Sequence, residues 1–70
     1  MTIKELKFLR EHGEEINIPD QKLIPIVQYL LEGNNFFKTT QEVMYDLNTS
    51  RYFVNQARNV LSVYIEDNIK

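Results

Sequence analysis

The sequence predicts an all-α fold, a compact four-helix domain covering residues 1–70. Three observations carry that reading. Apolar residues recur at spacings of three and four, as on one face of a helix, and no stretch gives a convincing two-residue alternation of a strand. The capping signature Thr-x-x-Glu occurs twice, at Thr2–Glu5 and Thr39–Glu42. The links between periodic segments are only a few residues long, which places consecutive helices side by side.

The first helix is expected from about Thr2 to His12, with Ile3, Leu6 and Leu9 inward and Gly13 as a left-handed stop. Glu14 to Pro19 reads as an extended or irregular link, because proline biases Ile18 away from the helical region. The second helix runs from about Gln21 to Glu32. Leu23, Ile26, Val27, Leu30 and Leu31 form its apolar stripe, and Pro25 is tolerable only in its first turn. Gly33-Asn34-Asn35 ends it. The third helix spans about Thr40 to Leu47, with Val43, Met44 and Leu47 inward. Asn48-Thr49 is a turn, and Asn48 is the residue suited to a positive φ there. The fourth helix starts after Thr49 or Ser50, either of which can cap it, and runs toward Ile69. Val54, Ala57, Leu61, Tyr64 and Ile65 are its inward stripe, widened by Phe53 and Val60.

Composition narrows the function classes. A chain of 70 residues buries only about 60% of its unfolded surface. It holds no cysteine, so neither disulfides nor thiolate-bound metal brace the core. No apolar run approaches a membrane span, and Met1–Glu5 lacks the apolar core of a signal peptide, so a cytoplasmic location is expected. Net charge is −2. The segment 34–61 alone has a positive balance, by one charge, from Lys38, Arg51 and Arg58 against Glu42 and Asp46.

From Thr39 to Arg58 the chain offers a capped helix, a tight turn and a second capped helix with a polar outer face. Thr39, Glu42, Val43, Leu47, Ser50, Arg51 and Val54 stand in the register Thr-x-x-Glu-Val-Ala-x-x-Leu-Gly-Val-Ser-Arg-x-x-Val. In this the chain resembles the helix-turn-helix family of small repressors and excisionases. Met44, Asn48 and Thr49 stand where that pattern has a small residue, a glycine and an apolar residue. The resemblance implies a helix-turn-helix unit over about residues 39–61. It implies a small DNA-binding transcriptional regulator, of phage or mobile-element type, with the fourth helix in the major groove of double-stranded DNA. With Val54, Ala57 and Leu61 inward, Arg51, Tyr52, Asn55, Gln56, Arg58 and Asn59 are left facing outward. Asn55 and Gln56 then suit adenine edges, and Arg51 and Arg58 suit phosphate or guanine. Ser50, Tyr52 and Lys38 would position the DNA backbone. So few cations imply a homodimer or a companion protein for useful affinity.

Other chemistry is weakly encoded. His12 is the only histidine and reads as a helix-end or surface residue rather than a metal ligand. Glu14-Glu15 reads as a solvated loop pair. Ser50 has no neighbouring base and reads as a cap. No glycine-rich phosphate loop occurs. A non-enzyme without cofactor or metal is expected. Phe36-Phe37 should fill the core between the second and third helices with one ring left outside, while Tyr45 and Tyr52 suit partner contacts. Val60, Val63, Tyr64 and Ile69 exceed what one small core covers, so self-association through this tail or the first helix is expected. The alternative function is an acidic protein-interaction module that binds a regulator or polymerase subunit through the same helical surface.

Overall fold

A computed structural model describes residues 2–69, with the Ile69 side chain outside the described set. Four α-helices form the molecule, and no strand occurs among the described residues: α1, Ile3–Glu11; α2, Ile24–Leu31; α3, Thr40–Leu47; and α4, Arg51–Ile69. No helix among the described residues is long and apolar enough to cross a membrane. Short 3-10 turns at Gly13–Glu15, Gln21–Leu23 and Asn35–Phe37 fill the links.

Both expected capping boxes form. Thr2 Oγ1 accepts from the Glu5 amide at 3.2 Å while the Glu5 carboxylate accepts from the Thr2 amide at 2.9 Å. Thr39 and Glu42 repeat this at 3.1 and 3.0 Å. Each box satisfies two amides that the helix start would otherwise leave free.

The second helix starts later than its apolar stripe suggests. Residues Gln21–Leu23 form a 3-10 turn, and regular α-helix begins at Ile24. Pro25 is the reason. Its ring would collide with the Gln21 carbonyl in a continuous α-helix. The Asp20 carboxylate caps the 3-10 turn instead, accepting from the Lys22 amide at 2.9 Å.

Gly13 is not the left-handed stop that its position suggests; the left-handed glycine is Gly33, at φ 50°. His12 closes α1 instead. Its amide is shared between the Phe8 and Leu9 carbonyls, both at 3.2 Å, which tightens the chain into the following 3-10 turn.

The core is built by Leu6 and Leu9 of α1, Ile26, Val27 and Leu30 of α2, Val43 of α3, and Val54, Ala57, Leu61 and Ile65 of α4, with Leu23 beside them. Ile16, from the link, is also buried. Ile3 is not: it is 76% exposed. Steps of three residues drift by about 60° around a helix, so Ile3 lies about 120° from Leu9 and overhangs the core. Leu31, Met44, Leu47, Tyr64, Phe53 and Val60 are half-buried around the rim, as is Phe36, whereas Phe37 stays exposed.

α4 packs against α1, α2 and α3. At 1.5 Å per residue it is about 28 Å long, nearly the 32 Å longest dimension of the molecule. It is therefore the spine on which the other three helices are placed.

Candidate functional site

The α3–α4 junction carries most of the residues singled out from the sequence. Asn48 adopts φ 51°, ψ 51°. The Thr49 amide donates to the Met44 carbonyl at 3.0 Å and the Asn48 amide to the Tyr45 carbonyl at 3.3 Å. These two bonds are the 6→1 and 5→2 pair of a Schellman motif, so asparagine does here what glycine usually does. Ser50 then begins α4: its Oγ accepts from the Phe53 amide at 3.3 Å. Val43, Val54 and Ala57 are fully buried where α3 and α4 meet. Met44 is accommodated at the rim, half-buried.

The eight sequence-selected residues divide into two sets. Ser50, Arg51, Tyr52, Asn55 and Asn59 are exposed. Arg51, Asn55 and Asn59, spaced by four, form one line along α4, with Tyr52 beside it. Gln56 is half-buried, flanking that line.

Arg58 and Lys38 correct the expectation of free cations. Arg58 donates from Nη1 to the Phe36 carbonyl at 2.9 Å and from Nη2 to the Lys38 carbonyl at 2.8 Å. Its guanidinium carbon lies 5.0 Å from the centre of the Phe36 ring. Burial lowers its pKa, and Nε is enclosed without a partner. The side chain turns inward because the link before α3 presents two carbonyls that no helix satisfies.

Lys38 belongs to a surface triad. Its Nζ donates to Tyr29 Oη at 3.0 Å and to Asp46 Oδ2 at 3.1 Å, and Tyr29 Oη donates to the same Asp46 oxygen. The hydrogen bonds from Tyr29 and then Lys38 hold the Asp46 carboxyl below its usual range. The bonds to Tyr29 and then Asp46 raise the Lys38 ammonium above its usual value. The triad ties α2 to α3 and spends the Lys38 charge internally.

A third cation is used in the same way as Arg58. Arg10 donates from Nε to the Leu31 carbonyl at 2.6 Å and from Nη2 to the Gly33 carbonyl. Arg10 and Arg58 thus grip the α2–α3 link from its two ends.

Lys22 is the residue that sequence reasoning missed. Its Nζ lies 5.9 Å from the centre of the Phe53 ring, in the first turn of α4. Phe53 in turn meets Tyr52 edge-on, with ring centres 5.5 Å apart. No sequence signal marks the approach, since the pair lies 31 positions apart.

The electrostatic character of the junction follows from these placements. Between Asp46 and Glu66 the chain carries no acidic residue, in a protein holding ten. The N-terminal half of α4 therefore presents Arg51, amides and hydroxyls with no competing carboxylate of its own. The helix dipole adds positive potential at the same end. No protein-family model, curated protein or solved structure significantly matches this chain.

Proposed function

We propose that the chain is a small binding protein for double-stranded DNA. In this reading α3 and α4 form a helix-turn-helix unit, α4 is the recognition helix, and the protein acts by occupancy rather than by catalysis. The observation that carries it is the acid-free exposed line Arg51–Asn55–Asn59, which begins directly after the left-handed turn at Asn48. A groove-reading helix presents donors and acceptors from its N-terminal half, and the lack of carboxylates there spares it repulsion from the phosphates.

In this reading the exposed Asn55 pairs with an adenine edge, and the exposed Arg51 with guanine or phosphate. Ser50, Tyr52 and Lys22 flank the helix start, where backbone contacts belong. Lys38 and Arg58 support the scaffold instead of touching DNA.

Binding to a random-sequence duplex, followed by fluorescence anisotropy, tests the reading. The two cations at this face, Lys22 and Arg51, give a slope of log K against log salt of about −2. Arg51→Ala is expected to weaken binding several-fold and reduce that slope by about one. No binding at low salt overturns the reading.

A second reading, a protein-interaction module on the same surface, is favoured by one observation. Tyr45 and Tyr52 are 87% and 65% exposed on either side of the turn, a residue type enriched at protein interfaces. It predicts partner capture that survives Arg51→Ala and fails with Tyr45→Ala/Tyr52→Ala.

A further inference from the structure

A groove of about 490 Å³ opens between the end of α1, the 3-10 turn after it and α2. Its lining residues all fall between Arg10 and Leu31, so it shares none with α3 or α4. Ile18, Ile24 and Leu31 give it an incompletely covered apolar floor, with Ile24 37% exposed. Glu11, Glu14 and Glu15 line its acidic side. Glu15 accepts from the Tyr64 hydroxyl at 3.3 Å, whereas Glu11 and Glu14 have no ion-pair partner among the described residues. Arg10 is the one cation in the lining, and its guanidinium is already committed to the Leu31 and Gly33 carbonyls.

The complement to this groove sits at the other end of α1. Ile3 is 76% exposed, and Lys4 and Lys7 are exposed beside it. The three lie within about 100° of helix rotation. An apolar tip flanked by two ammonium groups matches an apolar floor flanked by carboxylates. One copy cannot fill its own groove, because Ile3 and Glu11 stand about 12 Å apart on the same rigid helix.

We propose that a second copy of the chain docks Ile3, Lys4 and Lys7 of its α1 into this groove. The two patches differ, so the contact is head-to-tail and repeats along a row of copies unless a ring closes. A contact made by three side chains of one helix belongs to the weak, concentration-dependent class. It does not depend on whether α4 binds DNA, and its test contains none.

Sedimentation velocity at rising protein concentration and low salt, with folding checked by circular dichroism, provides the test. The native chain is expected to show an average mass that climbs past two copies. A tip variant, Ile3→Asp/Lys7→Glu, and a groove variant, Glu11→Lys/Glu14→Lys, should each remain monomeric. Both change exposed side chains, so both are expected to fold. Mixed one to one, they retain one intact tip and one intact groove, and should associate again. A native chain that stays monomeric at millimolar concentration overturns the proposal. So does association that survives either variant, or a mixture that stays monomeric.

Discussion

Arg58 shows how one side chain can change the meaning of a surface. By helical spacing it belongs with the outward residues of α4, and its charge invites a phosphate. Its fork instead closes on the carbonyls of Phe36 and Lys38. Bonds of this charged kind contribute roughly 1.5–3 kcal/mol each to net stability. Arg58 is only half-buried, so Arg58→Ala is expected to cost about 2 kcal/mol in urea unfolding, or roughly 10 °C in Tm. Arg58→Lys keeps the charge but loses the two-pronged geometry, and should recover less than half of that loss. An unchanged urea midpoint in Arg58→Ala would show that the two carbonyls find water at no cost.

At the scale of elements, the turn between α3 and α4 depends on one backbone conformation. Asn48 sits at φ 51°, where a side chain with Cβ is strained unless it is asparagine or aspartate. Asn48→Ala should therefore lower stability by about 1 kcal/mol, and Asn48→Gly should match or exceed the native Tm. The same geometry predicts that Asn48→Val is worse than Asn48→Ala, because a branched side chain crowds further. Much of this level was legible in the sequence. Both capping boxes, the Asn48 turn, the Ser50 cap and the Val43, Val54, Ala57 and Leu61 anchors follow from local rules that need no knowledge of the far chain. The late start of α2 is half legible, since Pro25 marks a first turn while the apolar stripe extends the helical pattern back to Gln21. The places of Ile3 and Gly13 are not legible, because spacing alone does not reveal where a helix overhangs its neighbours or which glycine turns left-handed.

For the molecule as a whole, the hidden part is where charges end up. Arg10, Lys38 and Arg58 meet partners that lie eight to 23 positions away, and nothing local announces them. The candidate site was therefore legible in outline, as the exposed polar line of α4, but not in its cations. Lys22 joins it from α2's approach, while Lys38 and Arg58 leave it. These pairings also shape stability against pH. Glu5 and Glu42 are lowered by their capping bonds, and Asp46 by Tyr29 and Lys38. A carboxyl lowered by folding stabilises the fold fully above its ordinary value, about 4. That contribution disappears as pH falls through the lowered folded value. On the alkaline side, burial raises the Tyr64 hydroxyl, and Lys38 is raised by its triad. Their contributions are complete below about 10 and are lost as pH rises through the raised values. Urea midpoints measured across pH should fall on both sides. Asp46→Asn is expected to flatten the acid limb, and an acid limb unaltered by that change would remove Asp46 from the account. The two arginines impose a further constraint on how this protein can vary. Connections between helices ordinarily accept inserted residues over evolutionary time. Here four carbonyls, those of Leu31, Gly33, Phe36 and Lys38, are held by side chains fixed on α1 and α4. One added residue would shift the second pair out of reach of its clasp while leaving the first in place. The α2–α3 connection thus behaves like a measured part, intolerant of changed length.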